Sequence, residues 1–203
     1  MKVHWTQGLI ALTLTLYVAA FAIALAVTRR QTGANPWGHA RGHPRVKMLG
    51  SLATALLLTT GVAYVIDARS LDWFVRIRWL DRAPVRVLGV AACTLATLLL
   101  IWGEASLGRA FRVALPEHKE RLVTRGIYRW VRNPLALSVD LLSLGILSLA
   151  PSLVAVAGFA LTVVAYELKI RAEERYLREA HGPAYADYCA RTGRYIPRLV
   201  REG

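Results

Sequence analysis

The feature that most constrains this chain is a set of long runs without charge. Gly8 to Val27 has 20 such residues, Met48 to Ile66 has 19 and Val87 to Gly103 has 17. A helix rises about 1.5 Å per residue, so roughly 20 apolar residues, with about 17 as a lower limit, cross a ~30 Å hydrocarbon core. Each run therefore reads as a membrane span. A fourth stretch, Leu135 to Tyr166, is too long for one crossing and holds Pro151 between Ala150 and Ser152. Proline lacks the amide donor and biases its predecessor away from helical angles, which predicts two short helices joined by a tight turn. The expected architecture is all-α, a polytopic membrane protein with about five transmembrane helices in a single membrane domain over 1–203. Residues 1–104 supply three spans. Residues 105–203 supply a cytoplasmic loop, a short or tilted helical hairpin whose second arm continues as a cytoplasmic helix, and a C-terminal tail.

The net charge of +13 sits beside a hydrophobic content of 55 %, so charge must concentrate between the runs. Twenty of the 26 Lys and Arg residues fall in 29–47, 109–132 and 169–201. Cytoplasmic loops are enriched in these residues. An odd number of crossings, with the N-terminus outside and the C-terminus cytoplasmic, gathers all three segments on one side. Trp5, Trp73 and Trp79 then mark the outer interface, and Trp37, Trp102 and Trp130 the inner one. The first run is longer than the core of a secretory leader, and Arg29-Arg30 follows it as a stop-transfer signal, so it reads as a span. Because the basic segments flank spans, topology and anionic headgroups explain them; membrane lipids are expected partners and nucleic acid is not. Cys93 falls in a span and Cys189 in the tail, a placement that predicts neither a disulfide nor a thiolate metal site. The five histidines are scattered, and no metal is expected.

Two segments hold more than topology requires. The first runs Glu120-Arg121-Leu122-Val123-Thr124-Arg125-Gly126-Ile127-Tyr128-Arg129-Trp130-Val131-Arg132-Asn133-Pro134. Gly126 permits a turn, Tyr128 and Trp130 offer ring faces, and Asn133-Pro134 suits a helix start. A helix N-terminus entering the membrane presents unpaired amides suited to a carboxylate or phosphate. The second segment runs from Glu167 through Lys169, Arg171, Glu173, Glu174 and Leu177 to His181-Gly182-Pro183, Tyr185, Tyr188 and Pro197. On a helix, Glu167 pairs with Arg171 and Lys169 with Glu173, a pattern that also fits an amphipathic surface helix. Glu167 and Lys169 nevertheless stand where the apolar run ends, and ionisable groups near membrane depth usually face a cavity or partner.

Together these segments resemble the isoprenylcysteine carboxyl methyltransferase family and the related phospholipid methyltransferases. Those chains carry Leu-Val-Thr-x-Gly-x-Tyr-x-x-x-Arg-His-Pro-x-Tyr, a helical hairpin, Glu-Glu-x-x-Leu, Phe-Gly-x-x-Tyr-x-x-Tyr and a closing Pro. Here the matching residues are Leu122-Val123-Thr124, Gly126, Tyr128, Arg132, Pro134, Glu173-Glu174, Leu177, Gly182, Tyr185, Tyr188 and Pro197. The resemblance covers roughly the last 90 residues in order and spacing. It implies S-adenosyl-L-methionine-dependent methyl transfer at the cytoplasmic membrane face. The cofactor contacts it implies are Leu122, Val123, Gly126, Tyr128, Arg132, Asn133, Pro134, Leu135, Ala136, Glu173, Tyr185 and Tyr188. Lys169, Arg171, Glu173 and Glu174 are the implied catalytic set, with Lys169 in the place of a basic residue near the acceptor. An anionic acceptor needs alignment and exclusion of water, whereas an ammonium acceptor also needs a proton sink, for which Glu173 or Glu174 is the candidate.

The departures are specific. Asn133 replaces the imidazole of the family pattern, Ala136 replaces a phenol and His181 replaces a phenylalanine. Asp140 adds an acid inside the fourth stretch, either lining an altered acceptor site or lying near enough to headgroups to stay hydrated. The losses keep open a non-catalytic lipid- or partner-binding protein. The aromatic tail from Tyr185 to Pro197 also keeps open an NADPH-dependent sterol-reductase-like enzyme. The acceptor expected for a methyltransferase is lipophilic or small and bears a carboxylate, thiol or amine.

Overall fold

Every long apolar run becomes a helix that extends into its polar flanks. A computed structural model describes residues 4–32, 44–108 and 122–198. Its helices are α1 (His4–Thr32), α2 (Pro44–Ile66), α3 (Ser70–Trp73), α4 (Ala83–Leu107), α5 (Pro134–Leu149), α6 (Leu153–His181) and α7 (Pro183–Arg191). By length and composition, α1, α2, α4 and α6 are able to cross a membrane. α5 has 16 residues and rises about 24 Å, the short arm anticipated for the hairpin. The expected break at Pro151 is present, and the second arm continues without interruption to His181. No strand forms among the described residues; the β-pairing there consists of two isolated bridges.

The hairpin turn is held from the side by residues 67–82. Ile77 N donates to Pro151 O at 2.9 Å and Leu153 N donates to Val75 O at 3.1 Å. Ser152 caps α6, its side chain accepting from Ala155 N. Trp5, Trp73 and Trp79 at this end are exposed, as are Trp102 and Trp130 at the opposite, motif-bearing end. Trp37 lies outside the described residues. Exposed Leu, Ile and Val along α1, α2, α4 and α6 form the apolar belt that a bilayer would cover.

Small residues set the helix packing. Without a hydrophobic drive between helices in lipid, close backbone approach supplies the dispersion contact. A Cβ added to Gly89 would lie 2.9 Å from Leu149 Cγ, and one on Gly145 would strike Cys93 Sγ and approach Gly89 O to 3.0 Å, so α4 and α5 meet backbone to backbone. α2 packs on α6 in the same manner, Leu57 filling the space over Gly158.

α1 and α2 join differently. At the 67–82 end, the Thr6 hydroxyl pairs with the Tyr64 hydroxyl at 2.7 Å and Gln7 Nε2 donates to Tyr64 O at 2.9 Å. Ile10, Tyr64, Leu71, Cys93, Leu149 and Ala150 form the core beneath this clasp. Towards the motif end, Tyr17, Ala96 and Leu100 form a second core in which α1 packs on α4 and α5. A crevice is left there between α1 and α2.

The glycine contacts predict opposite outcomes for the same substitution. Gly145→Ala overpacks α4 against α5 and should destabilise by roughly 1–3 kcal/mol. Gly8→Ala has nothing within 4 Å of the new methyl and should be neutral or stabilising. Thermal unfolding in detergent distinguishes them, Gly145→Ala melting lower than the parent and Gly8→Ala not.

Candidate functional site

The first motif folds as an extended lead-in, a single 3-10 turn over Gly126–Arg129 and a strand-like exit into α5. Gly126 has φ of +59° and lies so close to the Ser106 side chain that a Cβ would collide with it. Only glycine meets both demands at low cost. Ser106 Oγ accepts from Ile127 N at 3.2 Å and donates to Trp102 O at 2.7 Å, which docks the turn on the last turn of α4. Gly126 is thus a builder of the turn and is not on the cavity wall described below.

The exit strand pairs with the C-terminal tail. Val131 and Gly193 form a parallel bridge, and Arg132 N and Asn133 N donate to Gly193 O and Arg194 O. Side chains repeat this union around Glu174, which is 8 % exposed. Its Oε1 lies 3.4 Å from Arg132 Nε, 3.4 Å from Arg194 Nε and 3.3 Å from Asn133 Nδ2. Arg132 also donates to Thr192 O at 2.6 Å. Asn133 precedes Pro134 at the start of α5, but its side chain makes no cap bond; it turns instead to Glu174 and to Arg194 O. A second carboxylate fastens the tail: Glu167 accepts from Arg171 at 2.7 Å, Arg194 at 2.9 Å and Tyr195 at 2.9 Å.

Inside this frame a cavity of about 530 Å³ enters the bundle. Its polar limb is walled by Leu122, Val123, Tyr128, Arg132 and Asn133 from the first motif. Lys169, Glu173, Glu174, His181, Tyr185 and Tyr188 face them from α6 and α7. Leu135 and Ala136, at the start of α5, line the junction, where the small Ala136 side chain leaves open space. The apolar limb runs on between α1 (Leu14, Tyr17, Val18, Phe21) and α2 (Gly50, Thr54, Leu57, Leu58). Val18 and Leu58 are also exposed on the outer surface, so the limb opens sideways through the α1–α2 crevice.

Burial pushes the Tyr128 phenol well above its ordinary range, with the nearby Tyr188, Glu173 and Glu104 charges adding to it. Burial likewise raises Tyr188, to about 12 despite the Arg132 charge, and raises Tyr185 with help from Glu174. These phenols are neutral at physiological pH. They serve as hydrogen-bond donors and ring walls and not as bases. Tyr188 donates to Tyr128 O at 2.7 Å, bracing α7 against the turn.

Of the residues singled out in the sequence, Pro134 is buried behind the wall, packed over Gly103 of α4. Arg171 is off the wall too, its side chain 67 % exposed and held by Glu167. Lys169 and Glu173 pair at 3.6 Å along the wall of α6. Asp140 is half-buried and off the wall, although Val139, Leu142 and Ser143 beside it are on it. Sequence reasoning passed over Ser106, Tyr17, Tyr166, Arg194 and Tyr195. It also passed over Glu104, buried near the end of α4. Among the described residues, no group of three or more His, Cys, Asp or Glu is disposed to hold a metal.

Residues 85–184 match the phospholipid methyltransferase family. The match runs from the start of α4 into α7 and so contains the docking serine, the first motif, α5 and the Glu173-Glu174 pair; α1 and α2 precede it. No curated protein matches the chain.

The tail junction makes a local prediction. Glu167→Gln removes the charge that holds Arg171, Arg194 and Tyr195, and hydrogen bonds to charged groups are worth about 1.5–3 kcal/mol. Amide exchange at Gly193 and Asn133 should quicken about tenfold or more, whereas Glu179→Gln, at an exposed position, should leave it unchanged.

Proposed function

We propose that this chain, whose residues 85–184 belong to the phospholipid methyltransferase family, transfers a methyl group from S-adenosyl-L-methionine to a lipophilic acceptor that enters from the bilayer. The observation that carries the reading is one continuous cavity with two chemistries: a polar limb at the motif end and an apolar limb open between α1 and α2. A water-soluble substrate would have no use for the second limb. The donor supplies a methyl group made electrophilic by positively charged sulfur.

The residues fit such a donor. Leu122 and Val123 offer apolar walls for adenine, and the first turn of α5, left uncapped by Asn133, offers amides to a carboxylate. The two adjacent acids divide the work. Glu174 is engaged by Arg132, Asn133 and Arg194 and positions the motif. Glu173 makes a longer pairing with Lys169 and is about one-third exposed, which leaves it able to receive the donor's amine or ribose hydroxyls. Lys169 stands at the inner end of the same wall, close to Tyr166 and to the apolar limb, where it meets the acceptor. Enclosure between Tyr128, Tyr185 and Tyr188 excludes water, so that alignment supplies most of the rate. The motif end faces the cytoplasm in this reading, supported by the Lys and Arg gathered in 29–47, 109–132 and 169–201.

Calorimetry on protein in detergent tests it. S-adenosylmethionine and S-adenosylhomocysteine are expected to bind with dissociation constants of roughly 1 μM to 1 mM, and NADPH not to bind. Glu173→Gln should weaken adenosyl binding about tenfold or more, and Glu179→Gln should not. A folded protein that ignores both adenosyl ligands contradicts the proposal, and one that takes NADPH instead points to the reductase.

A further inference from the structure

One hydroxyl on the wall of the apolar limb keeps its proton unused. Thr54, Ser143 and Thr162 on that wall each donate to a carbonyl of their own helix, Gly50 O, Asp140 O and Gly158 O, all at 2.8 Å. Ser138 gives its proton to Leu135 O at 2.7 Å, so in the 3.0 Å contact between the Tyr17 and Ser138 hydroxyls Tyr17 is the donor. Tyr166, on the same wall, has no hydrogen-bond partner among the described residues. Nor is its oxygen one of the side-chain atoms sealed away unpartnered, which among the described residues belong to Ser70, Arg76, Glu104, Asp140 and Arg194. The Tyr166 hydroxyl therefore opens on the cavity. A phenol in apolar surroundings usually finds a partner, and leaving that bond unmade costs free energy.

Its place on α6 says what the partner is. Thr162, Tyr166, Lys169, Ile170 and Glu173 recur at helical spacing and line the cavity as one face of α6. Along that face Tyr166 stands between Thr162, satisfied by its own helix, and the Lys169–Glu173 pair of the polar limb. Three residues separate Tyr166 from Lys169, a rise of about 4.5 Å. The Lys169 ammonium lies 5.5 Å from the centroid of the Tyr166 ring, a cation–π contact that steadies the ring. The phenol O–H thus marks the level at which the apolar limb gives way to the polar one, where the chain of a lipophilic acceptor ends and its headgroup begins. With a proton to give and a cation beside it, the phenol suits an oxygen of that headgroup.

We propose that Tyr166 is an acceptor-binding residue that sets how far the acceptor enters the cavity. Its O–H donates to a headgroup oxygen on the chain side of the atom that receives the methyl group, with the Lys169 ammonium against the same oxygen. The inference rests on the methyl-transfer reading above and adds to it a residue that touches the acceptor and not the donor. The acceptor is then registered at one point: its chain fills the limb below Tyr166, and the reacting atom is held above it, at the donor's end. The apolar wall alone cannot do this, because hydrophobic contact is non-directional and lets a chain slide. One neutral hydrogen bond lost is worth about threefold to tenfold in acceptor affinity, and the donor site is untouched.

The test uses full-length protein in lipid nanodiscs and Tyr166→Phe, which removes a single oxygen atom. S-adenosylhomocysteine affinity should stay within about twofold of the parent, which shows that the variant folds and keeps its donor site. The probe is a long-chain methyl ketone, pentadecan-2-one, isotope-labelled at its carbonyl and added to the S-adenosylhomocysteine-loaded protein. Its infrared carbonyl band should lie at lower frequency in the parent than in protein-free nanodiscs, as for a carbonyl that accepts a hydrogen bond, and should move back towards the protein-free position in Tyr166→Phe. With a lipid extract and methyl-labelled S-adenosylmethionine, the variant should raise the apparent KM for the extract about threefold to tenfold and leave the KM for the donor within about twofold. A carbonyl band and a lipid KM that are both unchanged in Tyr166→Phe, or an S-adenosylhomocysteine affinity that falls together with them, overturns the assignment while leaving the methyltransferase reading intact. Absence of adenosyl binding by the folded parent overturns both.

Discussion

One buried carboxylate organises the functional end of this molecule. Glu174, on α6, gathers Arg132 and Asn133 from the segment before α5 and Arg194 from the tail. Three stretches far apart in sequence are tied through one oxygen atom. The arrangement is stable because the charge is compensated on several sides; removing one partner from such a group leaves an uncompensated charge. The backbone pairing of Val131 with Gly193 runs beside that union, and the turn seated on Ser106 and the Tyr188 brace hold the same segment from its other sides.

The cavity follows from the frame. Close small-residue packing draws α4 and α5 together, and α2 against α6, while α1 and α2 are clasped by the Thr6, Gln7 and Tyr64 hydrogen bonds at the 67–82 end. The consequence is an apolar limb that opens sideways and meets a polar limb from the motif end. A bilayer-embedded molecule can then present its headgroup to a polar reagent without leaving the lipid, and the cost of exposing its chain to water is never met. On this account α1 and α2, which precede the family match, are the acceptor's entry.

Features governed by local chemistry were legible in the sequence. The apolar runs, the break at Pro151, the glycine turn at Gly126 and the i, i+4 pairs of α6 each depend on neighbours within a turn or so. Features governed by distant partners were not. The pattern Asn133-Pro134 suggested a side-chain cap, but the Asn133 side-chain nitrogen donates to charged Glu174, 41 positions away, and that bond turns the amide oxygen away from the helix start. Arg194 and Tyr195 had no partner in the sequence until Glu167 is seen to face them. Arg171 illustrates the reverse: the family resemblance grouped it with Lys169 and Glu173, yet it lies on the outer face of α6 in the i, i+4 pair with Glu167 that its spacing predicted.

The central claim is that donor and acceptor reach one site by separate limbs. Gly50, in the α1–α2 crevice, has open space around it and lines the apolar limb. Gly50→Trp should therefore obstruct the crevice without touching the polar limb. With nanodisc-embedded protein, a lipid extract and methyl-labelled S-adenosylmethionine, the variant should lose about tenfold or more of the label transferred to lipid, relative to the parent, while binding S-adenosylhomocysteine as the parent does. Undiminished lipid labelling by Gly50→Trp would contradict the account.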